Sequence, residues 1–281
     1  MLKKNSLLML LVLAALTFVL AACGTSSDNS NSSEGTNGSE TATETEGTSS
    51  EAEEPAETKE LLVGTDAAYA PFESMDDNGN IVGIDVDIVN ALAEELGVKA
   101  EIQHVGWEPL FTQVTNGQVD FGISAITITE ERQETFDFTE PYYEATQLII
   151  TKEDSGITSL QDLKDKKIGV QINTTGHYAA QDLQGQASTN ILTYETTPIA
   201  IQQMINGTVD AVIGDNAVLI EFIKTNPDSN LITIEDDSFE SEYYGLMVKK
   251  GNTELLDLLN EGIQKLKESG KLAEITGQEL E

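Results

Sequence analysis

The chain has 281 residues and a formal net charge of −34, with 49 acids against 15 lysines and arginines. That balance argues against nucleic-acid binding, because phosphate backbones demand basic surface. Its single cysteine excludes an internal disulfide framework and any cysteine-based metal cluster.

The chain opens on a short basic start, Lys3-Lys4, followed by an apolar run from Leu7 to Leu20 that is short for a membrane span. Leu20-Ala21-Ala22-Cys23 then places small residues before a cleavage point. This tetrad resembles a bacterial lipobox, which implies a signal peptide over 1–22 and a diacylglyceryl and palmitate anchor on Cys23. Two acyl chains suffice for stable anchoring. Residues 24 to 60 are mostly Ser, Thr, Gly, Asn and Glu, with ten acids and one lysine. Such a segment buries too little apolar surface to offset its ordering entropy, so 23–60 is expected to be a disordered acidic tether. The remaining 221 residues are large for one core and natural for two lobes. No later stretch is apolar enough to span a bilayer.

Leu61 to Thr65 reads as a β-strand ending at Asp66, followed by a loop through Tyr69 and Phe72. Asp76-Asp-Asn-Gly-Asn80 departs from a calcium loop in the position of its glycine and is a hairpin turn instead. A helix is expected over 85–96, with Ile84, Ile88, Val89, Leu92 and Leu96 on one face and Gly97 as its stop. A strand follows over 99–105. The only tryptophan, Trp107, begins the next helix, which ends at Asn116-Gly117. Val119 to Ser124 reads as a buried strand running into the arginine segment. Further strands are expected at 147–151, 167–171, 191–194, 211–214 and 243–248. Helices are expected at 159–164, from just after Asn173-Thr-Thr-Gly176 to Leu183, and at 198–205, 215–224 and 252–267.

Arg132 is the only arginine; every other side-chain cation except histidine is one of fourteen lysines. A guanidinium grips a carboxylate with two parallel hydrogen bonds, which an ammonium cannot do. Ser124, Thr127 and Thr129 lie along the same segment. The alternative is a surface arginine paired with Glu130, Glu131 or Glu134. Asn-Gly-x-Val-Asp occurs twice, at 116–120 and 206–210. Each copy ends a helix and starts an apolar strand, as expected of two related α/β lobes, although Asn-Gly is also a common helix stop. Ligands of open α/β sheets sit beyond the carboxyl ends of strands. Facing lobes would therefore bring Asp66, Tyr69, Trp107, Ser124, Thr127 and Arg132 toward Thr174, Thr175 and Asp215. That set suits a zwitterion. His104 and His177 are far apart and do not read as metal ligands, and no cofactor is expected.

Gly64-Thr-Asp-Ala-Ala-Tyr-Ala-Pro-Phe-Glu73, Gly83-Ile-Asp-Val-Asp-Ile88, Ser124 through Tyr143, Val170 through Gly176 and Val209 through Asp215 together resemble the polar amino-acid-binding proteins of bacterial ABC importers. The resemblance covers 61 to about 278. It implies an α/β, two-lobe type II periplasmic-binding-protein fold with a two-strand hinge near 145–151 and 240–247. Lobe 1 would comprise 61–146 and 246–281, lobe 2 would comprise 147–245, and the C-terminal helices would pack on lobe 1. It also implies that Arg132, Thr127 and Thr175 bind an α-carboxylate, and that Asp215 and the Ser124 region, through an Ala125 backbone carbonyl, bind the α-ammonium. Asp66, Tyr69 and Trp107 would line the side-chain pocket. Asn173 stands where many relatives carry glycine. The likeness around Pro71 to Met75 and Ala145 to Gln147 favours a receptor for arginine or another basic amino acid, lysine or histidine; a glutamine-binding receptor of the same family, which shares much of the pattern, is the alternative.

The implied protein is a monomeric receptor, lipid-anchored on the extracellular face of a Gram-positive cell membrane, that delivers its ligand to a permease. A cyclohexadienyl or arogenate dehydratase-like enzyme on the same fold, or an adhesin or sensor with a vestigial pocket, are the competing classes.

Overall fold

The computed structural model describes residues 59–280. The expected signal peptide, the Cys23 anchor and nearly all of the tether lie outside the described residues. Among the described residues, no helix is long and apolar enough to cross a membrane.

The chain starts with β1 (Glu60–Thr65), the short strands β2 (Ala68–Tyr69), β3 (Glu73–Met75) and β4 (Ile81–Val82), helix α1 (Ile84–Leu96) and β5 (Lys99–His104). The hairpin between β3 and β4 closes on Asp76, whose carboxylate accepts from the backbone N–H groups of Asn78 and Asn80, both at 2.8 Å. Helix α1 buries Ile88, Val89 and Leu92, and Gly97 stops it in the left-handed region at φ 64°. Helix α2 (Trp107–Asn116) and strand β6 (Phe121–Gly122) follow. The strand expected over 119–124 is laddered for these two residues only, because β6 meets β1 on one side and the returning β15 (Met247–Lys249) on the other just there. Helix α3 (Glu130–Thr135) and β7 (Phe136–Phe138) complete the first sheet, with strand order β5-β1-β6-β15-β7.

The chain leaves through β8 (Tyr143–Ala145) and enters β9 (Gln147–Lys152). The second sheet is built from β9, β10 (Ile168–Gln171), β11 (Ile191–Tyr194), β12 (Ala211–Asp215) and β13 (Leu231–Ile234), in the order β11-β10-β12-β9-β13. It is flanked by α4 (Thr175–Gln184), α5 (Thr197–Ile205) and α6 (Asn216–Thr225), with a 3-10 turn at Leu160–Leu163. The chain returns through β14 (Glu242–Tyr244), antiparallel to β8, so the two crossings form one two-stranded ribbon. Segment 147–151, expected within the hinge, ladders inside the second sheet instead. The single strand expected over 243–248 is two strands in two different sheets. It breaks at Gly245, where an added Cβ would stand 2.8 Å from Ile128.

The repeated pentad is a structural repeat. In each sheet three strands run parallel, and the first of them in sequence, β1 or β10, lies between the second, β5 or β11, and the one that follows the pentad, β6 or β12. Asp120 accepts from the Leu62 backbone N–H at 2.7 Å, and Asp210 accepts from that of Lys167 at 2.8 Å. The same side chain therefore ties the same pair of strands in both halves, which a mere helix stop would not do.

Helices α7 (Thr253–Glu268) and α8 (Lys271–Thr276) pack on α1, with Leu255, Leu259, Ile263, Leu266 and Leu272 in the core of the first half. Gly262 permits this approach, since an added Cβ would meet Leu92 Cδ2 at 2.6 Å. Ile263 is fully buried. Ile263→Val should lower unfolding free energy by about 1 kcal/mol in a urea titration without altering ligand affinity.

Candidate functional site

All ten residues expected at the site line one narrow cavity between the two sheets, and Gln171 joins them. From the first half come Asp66, Tyr69, Trp107, Ser124, Ala125, Thr127 and Arg132. From the second come Thr174, Thr175 and Asp215. A wider groove shares Trp107 with this cavity and opens to solvent between Glu108, Gln118, Tyr194 and Glu195.

Strand ends do most of the placing. Asp66 follows β1, Ser124 and Ala125 follow β6, and Gln171 and Asp215 are the last residues of β10 and β12. Gln171 was legible by the same strand-end rule that selected Asp215. Its Nε2 donates to Asp66 Oδ2 at 3.2 Å, and its Oε1 accepts from Thr197 at 3.0 Å.

Arg132 projects from α3, whose first turn is capped by Thr129. The Thr129 hydroxyl accepts from the Arg132 backbone N–H at 3.1 Å, so it serves the helix rather than the cavity. The guanidinium is buried, lies 5.3 Å from the Trp107 ring centre and 5.5 Å from that of Phe111, and donates to the carbonyls of Thr127 (2.8 Å) and Asn173 (3.2 Å). The second of these bonds joins the two halves. Asn173 reaches it with φ 58°, a left-handed conformation that asparagine tolerates better than most residues. Among the described residues Arg132 makes no ion pair, so the alternative of a surface pair with Glu130, Glu131 or Glu134 is set aside. Burial pushes its pKa down, opposed by Tyr178, Glu242 and Asp215. A guanidinium nonetheless remains charged in proteins.

Asp215 is the N-cap residue of α6, yet its side chain does not cap the helix. It accepts instead from Tyr244 Oη and Gln147 Nε2. Burial raises its pKa, and the bonds from Tyr244, Tyr69 and Gln147 oppose the rise. Asp66 is also buried, and burial raises its pKa, opposed by the hydrogen bond from Gln171. His104 Nδ1 stands 3.8 Å from Asp66 Oδ1 but accepts the Ala67 N–H at 2.9 Å. That nitrogen therefore carries no proton, and the pair is not a salt bridge.

The hydroxyls have partners that the sequence did not foretell. Thr127 and Thr175 both donate to Glu242 Oε2 at 2.8 Å, and Gln147 Nε2 donates to Glu242 Oε1 at 3.2 Å. Burial raises the Glu242 pKa, as does nearby Asp215. Glu242 lies on the crossing strand β14 and Gln147 at the start of β9, so neither carries the signal of a strand's carboxyl end. Thr174 caps α4, accepting from His177 N–H and donating to the Gln171 carbonyl at 2.8 Å. Ser124 Oγ accepts from the Asp66 N–H at 3.1 Å and donates to Glu73 at 2.7 Å. Ala125 adopts φ 46°. The cavity thus holds the cation Arg132 and the acid Asp66 from the first half, the acid Asp215 from the second, and two aromatic flanks, Tyr69 and Trp107.

Residues 61–279 match the model of the bacterial extracellular solute-binding proteins, family 3. A probable histidine-binding protein of Neisseria gonorrhoeae is 36% identical, covering 77% of this chain and 81% of its own length. The arginine-binding extracellular protein ArtP of Bacillus subtilis is 31% identical, covering 95% of both chains. Among solved structures, the arginine-, lysine-, histidine-binding protein ArtJ of Geobacillus stearothermophilus is 48% identical with a TM-score of 0.75, covering 77% of this chain and 93% of that one. The chain belongs to the bacterial extracellular solute-binding proteins, family 3, and has their two-lobe type II periplasmic-binding-protein fold.

Proposed function

We propose that this protein is the extracytoplasmic receptor of an ABC amino-acid importer, and that it captures a basic L-amino acid, arginine above all, between its lobes. The carrying observation is that a buried guanidinium, Arg132, with no ion-pair partner among the described residues, shares one cavity with a buried carboxylate from the other lobe, Asp215. The ligand's carboxylate meets Arg132 and the free N–H groups at the start of α4. Its ammonium meets Asp215, and its side chain runs toward Asp66 and Gln171 between Tyr69 and Trp107. Acids outnumber the cation in and around the cavity, which favours a ligand with two positive groups and one negative. The names of the relatives, which bind arginine, lysine or histidine, support the same choice.

Ligand contacts from both lobes are available together only when the lobes are closed, so binding shifts the protein toward closure. The closed receptor then docks on a permease, held near it by the lipid anchor on Cys23 at the outer face of the membrane, and acts as a monomer. It binds and does not catalyse, so incubation with prephenate or arogenate yields no product.

A thermal-shift screen of the twenty amino acids tests the reading. Arginine, lysine and histidine should raise the melting temperature, with a ligand at 100 times its Kd adding about 2.7 kcal/mol. No shift with any amino acid would overturn it. Asp66→Asn should weaken arginine by about tenfold, as expected for loss of a charge-assisted bond, and glutamine by much less. Equal losses in parallel calorimetric titrations would remove Asp66 from the side-chain pocket.

A further inference from the structure

Two carboxyl groups lie fully buried just behind the cavity wall. Glu73 on β3 and Asp85 in the first turn of α1 are both 0% exposed. The backbone brings them together. The Asp85 N–H donates to the Phe72 carbonyl at 3.0 Å, and the Ile84 N–H donates to that of Pro71 at 3.0 Å. Gly83 makes this approach possible, since at φ 136° an added Cβ would stand 2.2 Å from the Phe72 carbonyl oxygen.

Each carboxyl uses one oxygen on the wall and its supports. Glu73 Oε1 accepts from Ser124 Oγ, and Asp85 Oδ2 accepts from the Ala125 N–H at 2.8 Å and from Tyr142 Oη at 3.0 Å. The other two oxygens, Glu73 Oε2 and Asp85 Oδ1, are buried without a partner. Two unpartnered buried acceptors would each be costly. A single hydrogen between them satisfies both at once.

We infer that Glu73 is protonated and donates to Asp85, and that this shared proton holds the Ser124–Ala125 wall of the cavity in its binding shape. Asp85 is the natural anion of the pair, because it sits at the N-terminus of α1 and accepts two hydrogen bonds. Glu73 is the natural acid, because burial and the adjacent Asp85 hold its pKa well above the carboxylate range, whereas Asp85 is pushed up to about 6. The ionisable groups around the pair are Asp66, Tyr69 and Tyr142, and among the described residues no cation pairs with either carboxyl.

The wall needs this support. Ala125 is held at φ 46°, where a residue with a Cβ is strained, and the Asp85 bond fixes its N–H there. Ser124 passes the same constraint to Asp66 through the Asp66 N–H. If Glu73 ionises, its proton goes to solvent and two carboxylates face each other shielded from bulk solvent. Because the folded pKa of Glu73 is raised, the stability it contributes is complete below its unfolded pKa and is lost as pH rises toward the folded value. Glu73 and Asp85 are thus positioning residues, and the pair makes wall geometry and stability sensitive to alkali.

Infrared spectra of wild type and Glu73→Gln at neutral pH test the proton. The wild-type-minus-variant difference should contain one carboxylic-acid carbonyl band that shifts in heavy water. A difference spectrum without that band overturns the inference. The functional arm uses L-arginine and so rests on the receptor reading. Glu73→Gln, whose amide donates to Asp85 permanently, should match wild-type affinity and flatten the fall in stability with rising pH. Glu73→Met, which cannot donate, should lose about tenfold in affinity. Equal affinities for the two variants, or unchanged pH dependence in Glu73→Gln, would overturn the positioning role. A band without any arginine binding would sink the receptor reading and leave the shared proton standing.

Discussion

Arg132→Lys is expected to leave the protein folded and to weaken L-arginine binding by about tenfold to a hundred-and-fiftyfold. A hydrogen bond to a charged group is worth about 1.5–3 kcal/mol, and a lysine ammonium cannot present the second bond of the guanidinium fork. The substitution also removes the donor that reaches the Asn173 carbonyl from the other lobe. Closure therefore loses one of its own contacts together with a ligand contact. The aliphatic stem of lysine can still cover Trp107 and Phe111, so the fold should survive. Calorimetry with a circular-dichroism control would show this, and an unchanged affinity would dismiss the carboxylate assignment.

Asp215→Asn is expected to cost more in binding and nothing in stability. Removing one partner of a buried charge pair costs about 3–5 kcal/mol, which is roughly a hundredfold to several thousandfold in affinity. Without ligand the sign reverses. Burial raises the Asp215 pKa, so the wild type loses stability from this group as pH rises past the unfolded value. The variant lacks that loss, and its melting temperature should match wild type in acid and equal or exceed it at neutral pH. A variant that melts lower at neutral pH while binding arginine normally would show that Asp215 serves the fold and not the ligand.

Much of this was legible in the sequence for identifiable reasons. A lone arginine in a lysine-only chain announced itself, and Asp66 and Asp215 follow from the rule that α/β sites gather at strand ends. The two Asn-Gly-x-Val-Asp pentads foretold two sheets of one design, and Asp120 and Asp210 do the same work in each. Helix α3 was not visible because its six residues, Glu-Glu-Arg-Gln-Glu-Thr, carry no apolar period; a threonine cap and the burial of Arg132 hold it. Strands β14 and β15 read as one because the apolar run from Tyr243 to Val248 continues through Gly245, while the change of sheet is set by how closely Ile128 approaches.

The engagement of Thr127 and Thr175 by Glu242 depends on how two lobes and a ribbon meet, which no local pattern encodes. Buried pairs such as Glu73 and Asp85 are hidden for the same reason. Each reads as an ordinary surface acid until the backbone bonds at Pro71 and Phe72 bring them together.

The most direct test of the account is a calorimetric comparison of L-arginine with agmatine, which lacks the carboxylate, and with Nα-acetyl-arginine, which lacks the ammonium charge. L-arginine should bind one to one and both analogues should lose most of the affinity, because Arg132 and Asp215 each need their own end of the ligand. Agmatine or the acetylated form binding as tightly as L-arginine would contradict a cavity that reads both ends at once.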